Sequence, residues 1–280
     1  MAEILDGREV VAALNEKLQE EVAQLVAQGI TPTLAIVRLG ERGDDIAYER
    51  GALRRCATVG VEVKSYLLAE DATQEELLTV IQEINQDAGI HGCLLLRPLP
   101  KHMDDNLVRN SLAPEKDIDG ITDASLAGVF TGFATGYPPC TAQACMEILD
   151  YYDINVTGKK AVVIGRSLVV GKPAAMMLLQ KNATVTICHT RTVDMPAICR
   201  EGELLIVAAG RPRIVGKDYL APGQIVIDVG INYDEEDELC GDVNFEEAEP
   251  IVASITPVPG GVGTVTTSVL VKHVVEAARR

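Results

Sequence analysis

The chain lacks most of what would set it apart from ordinary globular proteins. No apolar run reaches the roughly 18 residues needed to cross a bilayer, so no membrane span is expected. The opening stretch MAEILDGREVV has no basic segment leading into an apolar one and does not read as a secretory signal. No CxxC pair occurs among the seven scattered cysteines, which points to free thiols in a reducing cytoplasm. Positive charge is scarce: 25 Lys and Arg stand against 41 Asp and Glu, for a formal net charge of −16. That balance argues against general binding to nucleic acid or to a membrane surface, since both need a basic footprint. There is no P-loop, no HExxH and no internal repeat. None of the four histidines has a partner at ligand spacing, so no metal site is expected. The acidic stretch DEEDELCGDVNFEEAE, residues 234–249, fits no metal-loop spacing and reads as a solvated acidic loop.

What is present fits a large core. Hydrophobic residues make up 47% of the 280 and charged ones 24%, an ordinary globular composition, and the length allows two domains of ordinary size or one large one. A helical pattern over DGREVVAALNEKLQEEVAQLVAQG precedes the β-rich run TLAIVRLG, and a second helical pattern closes on Gly60. Strand VEVKSYLL, a helix capped by Thr73, and the apolar strand GCLLLRPLP follow. Residues 116–139, rich in Gly, Thr and Asp, read as a connecting region. After helix TAQACMEILDYY a second series begins: strand AVVIG, helix PAAMMLLQKN, then strands TVTIC, ELLIVAAG and QIVIDVG. A glycine-rich loop leads into the last helix. The alternation predicts an α/β fold of two lobes with a cleft between them. The first is an α/β lobe over residues 1–140. The second is a Rossmann-type doubly wound parallel sheet, residues 141–261.

The stretch VVIGRSLVVGKPAAMMLL, residues 162–179, carries the first chemical signal. A strand running into a glycine turn and then a helix offers backbone N–H groups to a pyrophosphate. Gly165 and Gly171 stand where the backbone must approach a ligand closely, with Ser167 where another glycine is common. The next strand, TVTICHTRT, ends in His189, Thr190, Arg191 and Thr192, without the acid that NAD-selective folds place there. A carboxylate would repel a 2′-phosphate, whereas guanidinium and hydroxyl groups hold one, so Arg166, Thr190 and Arg191 point to NADP. For Arg166 by itself, a surface ion pair explains the residue equally well.

The motifs VVIGRSLVVGKP, ATVTICHTRT, GQIVIDVGIN, GDVNF and ITPVPGGVGTVT, with RPLPKH, PEKDIDGIT and PPCTAQA, span nearly the whole chain. In that order the chain resembles the methylenetetrahydrofolate dehydrogenase/methenyltetrahydrofolate cyclohydrolase family. The resemblance implies a homodimer of two-domain subunits that binds NADP on the C-terminal lobe and a tetrahydrofolate derivative in the cleft, with the last helix packed back on the N-terminal lobe, so that residues 1–140 plus 262–280 form the folate-binding catalytic domain. The implied reaction oxidises 5,10-methylenetetrahydrofolate to the methenyl cation, which bifunctional members hydrolyse to 10-formyltetrahydrofolate. It further implies that Gly165, Arg166, Ser167 and Gly171 hold the cofactor phosphates. Thr190 and Arg191 would serve the 2′-phosphate, and Ile231 the nicotinamide end. Asp119 would hold the pterin through its N–H edge, Tyr48 would pack on the folate rings, and Pro259, Gly260, Gly261, Val262 and Gly263 would line the same place. Taken singly, Asp119 reads as a turn residue before Gly120, Tyr48 as a packing residue and PGGVG as a flexible turn.

Two positions depart from the family pattern. Tyr48 and Gly60 keep the family's spacing, yet the lysine expected four residues after the tyrosine is Ala52. The glutamine expected before the proline pair is Leu96. Neither side chain can give, take or share a proton. Arg55 shares a helix face with Tyr48 and Ala52, while Arg97 follows Leu96 on the opposite strand face. Guanidinium is a poor general base. Hydride transfer needs alignment more than a base, whereas hydrolysis gains about 10²–10⁴-fold from a positioned acid or base. An NADP-dependent dehydrogenase with weak or absent cyclohydrolase activity is therefore expected. Two rival readings keep the scaffold: an NADP-linked dehydrogenase of another substrate, and a catalytically silent folate- or nucleotide-binding protein.

Overall fold

A computed structural model describes all 280 residues, Met1–Arg280. In chain order its first elements are β1 (Glu3–Ile4), α1 (Gly7–Ala27), β2 (Thr33–Leu39), α2 (Gly43–Val59), β3 (Glu62–Leu68), α3 (Gln74–Gln86) and β4 (Gly92–Leu95). Helices α4 (Asp105–Ser111), α5 (Asp123–Thr131) and α6 (Cys140–Tyr151) come next. Then follow β5 (Lys160–Ile164), α7 (Gly171–Gln180), β6 (Thr184–Cys188), α8 (Met195–Glu201), β7 (Leu204–Val207) and β8 (Ile225–Asp228). The chain closes with β9 (Asn232–Tyr233), β10 (Leu239–Cys240), α9 (Phe245–Ala248), β11 (Ser254–Ile255) and α10 (Val262–Ala277). Two compact units divide it: Met1–Ala12 with Thr141–Thr266, and Ala13–Cys140 with Thr267–Arg280.

The unit built around Ala13–Cys140 carries a three-stranded parallel sheet in the order β3-β2-β4. Central β2 reads TLAIVRL, and Leu34 to Val37 are wholly buried, as befits a parallel strand covered on both faces. Leu77, Ile81 and Ile84 of α3, at helical spacing, share one core with Ala35, Val37, Cys93 and Leu95. Each buried leucine, isoleucine or valine among them contributes about 1.5–3 kcal/mol by leaving water. Thr73 caps α3 as its sequence predicts: its hydroxyl accepts from Glu76 N at 3.2 Å, and the Glu76 carboxylate accepts from Thr73 N at 2.7 Å. Helix α2 ends where Gly60 takes a φ of 94°, a conformation that favours glycine.

The other unit holds a six-stranded sheet, order β1-β11-β8-β7-β5-β6, parallel throughout. Its core is built from Val162, Ile164, Leu205, Val207, Val226 and Ile255 among others. β6 lies on one side of β5 and β7 on the other, so the strand order reverses beside β5. Open α/β sheets bind ligands at the carboxyl ends of the strands at such a point.

Five details differ from the sequence reading. Residues 1–12 were expected with the first domain, but β1 pairs with β11 through Glu3↔Ser254 and Ile4↔Ile255, which draws Met1–Ala12 into the six-stranded unit. The division also falls inside α10, after Thr266, where position 262 was expected. The supposed connecting region 116–139 contains α5, whose polar flanks are its caps: the Thr122 hydroxyl accepts from Ser125 N, and Gly132 ends it at a φ of 75°. A short helix, α8, intervenes between β6 and β7; seven residues are too few for a clear helical period. The acidic stretch is not simply a solvated loop, since it includes β10, α9 and the wholly buried Asp242.

Replacing Thr73 by Ala removes the acceptor of the capping box. The expected cost is about 0.5–2 kcal/mol, read as a lower urea midpoint at unchanged slope.

Candidate active site

Helix α2 presents Tyr48 and Arg55 along one rim of its buried stripe of Asp45, Glu49, Ala52, Cys56 and Val59. An ion pair sets that rotation: Arg38 Nε of β2 donates to Glu49 Oε2 at 2.7 Å. Tyr48 is half-buried, and burial raises its phenol well above its ordinary value, with Asp119 and Cys140 acting in the same direction. It is therefore a neutral phenol. Ala52 is 0% exposed, and Leu96 is buried with its amide bonded to the Val37 carbonyl at 2.9 Å. Neither offers a polar atom here.

Asp119 sits in a turn organised by its neighbour Asp117. The wholly buried Asp117 carboxylate accepts from Ile121 N at 2.9 Å, Thr122 N at 2.8 Å and Ser125 Oγ at 2.6 Å. Gly120 follows with a φ of 67°, and a Cβ there would collide with the backbone of Tyr137 to Pro139. Burial raises Asp119 to about 7; a hydrogen bond from Cys140 and the Arg97 charge pull down, while Asp117 pushes up. A carboxyl that titrates near neutrality and stands beside a neutral phenol can accept from an N–H edge when ionised. Cys140, which the sequence reading passed over, is buried and held protonated by burial, its Sγ donating to Ile118 O at 3.2 Å. Only its position at the start of helix α6 could have signalled it. Arg97 is engaged elsewhere: its Nε donates to Asp105 at 2.7 Å. His102 binds the Ala72 carbonyl through Nε2 at 2.9 Å and so anchors a loop.

In the six-stranded unit the glycine turn lies at the carboxyl end of β5. Gly165 has a φ of 130°, and a Cβ on it would collide with the Ala208 carbonyl at the end of β7. A Cβ on Gly171 would meet the Gly165 carbonyl in the same way. The turn is thus too tight for side chains at both points. Ser167 Oγ accepts from Val170 N at 3.1 Å and Gly171 N at 3.4 Å, opening helix α7. The amides of Arg166 and Ser167 find no backbone carbonyl and stay available to an anion. Arg166, Thr190 and Arg191 are exposed. The turn holding Thr190 and Arg191 is fixed by His189, whose amide donates to Thr192 Oγ1 at 2.9 Å and whose Nδ1 accepts from Arg191 N at 3.1 Å. No acidic side chain occurs between Thr184 and Val193.

A pocket of about 160 Å³ in the same unit brings Ile231 together with residues 257–264, so Pro259, Gly260, Gly261, Val262 and Gly263 all line it. Ile231 is 64% exposed, and Gly263 faces it so closely that a Cβ there would lie 3.0 Å from its Cδ1. Asp228, at the end of β8, belongs to the lining and was not singled out from sequence. Burial raises it to about 6 against the pull of the Val243, Gly230 and Asp242 amides. Asp242 accepts from the amides of Ala209, Gly210 and Arg211 and from Asn232 Nδ2, at 2.6 to 2.9 Å. Two buried acids therefore hold three loops around the pocket. An aspartate ending an apolar strand was the available signal. No group of three or more His, Cys, Asp or Glu is placed to hold a metal ion, and no helix is long and apolar enough to cross a membrane.

The comparisons with known proteins agree with one another. The family model described as tetrahydrofolate dehydrogenase/cyclohydrolase, catalytic domain, matches residues 5–119. Its companion, the NAD(P)-binding domain, matches residues 139–280. The Bifunctional protein FolD of Carboxydothermus hydrogenoformans is 52% identical over 279 residues, 99% of this chain and 97% of that protein. Its namesake in Alkaliphilus oremlandii is 49% identical, over 100% of this chain and 98% of the relative. Among solved structures, the bifunctional methylenetetrahydrofolate dehydrogenase/cyclohydrolase of Campylobacter jejuni has a TM-score of 0.97 at 38% identity, covering 100% of this chain and 99% of its own. The Trypanosoma brucei enzyme, complexed with NADP cofactor and inhibitor, has a TM-score of 0.93 at 35% identity, covering 100% and 98%.

Asp119 at about 7 and Asp228 at about 6 both stand above their ordinary value of 3.8. Each holds its proton more tightly folded than unfolded, so stability falls as pH rises from about 4 to about 7 and levels off above. Thermal melting across that range should show this decline, and Asp119→Asn should make it shallower.

Proposed function

The chain belongs to the tetrahydrofolate dehydrogenase/cyclohydrolase family, and on that premise we propose that it oxidises 5,10-methylenetetrahydrofolate to 5,10-methenyltetrahydrofolate with NADP, in one-carbon metabolism. The observation that carries the reading is the agreement of two family models over nearly the whole chain with a glycine turn at the switch point of a parallel sheet. Bound NADP supplies the hydride acceptor. The tight turn of Gly165, Ser167 and Gly171 would hold its phosphates, with the free amides of Arg166 and Ser167 as donors, and Arg166, Thr190 and Arg191 would hold the 2′-phosphate where no acid opposes it. Ile231 serves the nicotinamide end beside residues 259–263.

On the folate side, Asp119 accepts from the pterin N–H edge in its ionised form. Tyr48 packs on the ring system and stays a neutral phenol. The folate nitrogens stabilise the cation as hydride departs, so no protein base is obligatory, and alignment does the work. Hydrolysis of the methenyl product is different, because water must lose a proton as it attacks. Ala52 and Leu96 have no proton to exchange. For this chain we therefore propose weak cyclohydrolase activity, although the curated relatives are named bifunctional. The seven free, buried cysteines support a cytoplasmic location, and the net charge of −16 supports a small-molecule role without nucleic acid. The subunit is proposed to form a homodimer.

Purified protein should reduce NADP only when 5,10-methylenetetrahydrofolate is present, followed as absorbance growth. Hydrolysis of 5,10-methenyltetrahydrofolate should be slower than hydride transfer by about 10²-fold or more. Comparable rates would overturn the cyclohydrolase proposal, and no NADP reduction would overturn the main one. Because Asp119 must be ionised to hold the pterin, the KM for the folate should fall as pH rises through about 7. Asp119→Asn should remove that dependence.

A further inference from the structure

Arg55 is a polar group that the proposed reaction leaves without a task. Its Nε is buried and has no hydrogen-bond partner. Burial lowers its pKa, and no neighbouring charge offsets that effect. Other arginines near this helix are accommodated: Arg38 pairs with Glu49, Arg42 with Asp45, and Arg50 and Arg54 face water. A half-buried guanidinium with no anion and an empty buried donor is costly to keep unless something completes it.

Its place on α2 indicates what completes it. At 3.6 residues per turn, Arg55 lies about 20° around the helix from Tyr48 and about 10 Å along it. Helical side chains lean toward the N-terminus and cover the turn before their own Cα. Arg55 therefore leans over the turn of Ala52 and toward Tyr48. The residues three and four after Tyr48 are Gly51 and Ala52, which carry at most a methyl group, so no long side chain of α2 stands between Tyr48 and Arg55. The guanidinium is a planar fork of donors with no acceptor capacity, suited to a carboxylate or carbonyl oxygen.

We propose that Arg55 is a substrate-binding residue of this chain, donating from Nε and a terminal nitrogen to an oxygen of the bound reduced folate beside Tyr48. The inference rests on the folate reading above. The folate offers such oxygens on its ring and benzoyl carbonyls and on its glutamate carboxylates, and all share the chemistry that a guanidinium recognises. The residue binds and orients; it exchanges no proton, since guanidinium keeps its charge.

The test compares wild type with Arg55→Ala and Arg55→Lys. Steady-state kinetics would give KM and kcat, and calorimetric titration with tetrahydrofolate in the presence of NADP would give affinity. Arg55→Ala should weaken the folate on the order of tenfold to a hundredfold, in both KM and Kd. The KM for NADP should not move, and the melting temperature should stay level or rise, because an unpaired buried donor has been removed. Arg55→Lys keeps the charge but lacks the Nε donor, and should fall between the two. Repeating the comparison with tetrahydropteroate, which lacks the glutamate, separates the sources. A persisting loss assigns a carbonyl, and a vanished loss assigns a tail carboxylate. Equal folate affinity in wild type and Arg55→Ala overturns the assignment, as does a fall in melting temperature with a parallel rise in both KM values, the mark of a structural role. If wild type itself binds no folate, the functional reading fails instead.

Discussion

Helix α2 is tied to strand β2 by an ion pair with little access to water. Arg38 and Glu49 are each 11% exposed in their side chains, and Arg38 also donates to the Gly40 carbonyl. Removing one partner of such a pair strands the other charge in the interior, so both are retained together. The consequence reaches beyond stability. With Glu49 held inward, the helical period turns Ala52, Cys56 and Val59 into the core and leaves Tyr48 and Arg55 on the rim. Which side chains can meet a ligand along this helix follows from that one contact.

The same economy of buried charge shapes the neighbouring turn. Asp117 is satisfied by two amides and a hydroxyl, and its fixed charge then pushes Asp119 upward. Cys140 and Arg97 pull the other way. Asp119 ends near neutrality because burial is the largest of these effects. A structural carboxylate thus adds to the shift of a second one two residues away. Asp242 and Asp228 repeat the arrangement in the six-stranded unit, where one acid gathers loop amides and the other sits in the pocket lining.

Backbone constraint plays the corresponding part at the glycine turn. Gly165 and Gly171 approach each other and the end of β7 so closely that neither admits a Cβ. The turn holds its shape through close backbone approach and the Ser167 hydroxyl, and leaves the amides of Arg166 and Ser167 free. Around it stand two exposed arginines and a threonine, with no acid on the adjoining strand.

The alternation of apolar strands and amphipathic helices by itself determined the α/β class, the order of the long elements, the Thr73 cap and the Gly60 stop, because these depend on local period and capping. It also determined that Ala52 and Leu96 have no proton to exchange, since that is a property of the residues and not of their setting. Short helices such as α5 and α8 were not legible, for two turns or so carry too little period to read and their caps look like loop residues. Tertiary structure alone decided that β1 joins β11, that Asp242 is buried within an acidic run, that Asp228 lines a pocket and that Arg55 lacks a partner. Each of these depends on groups far apart in the chain, and burial is a property of what surrounds a residue rather than of the residue itself.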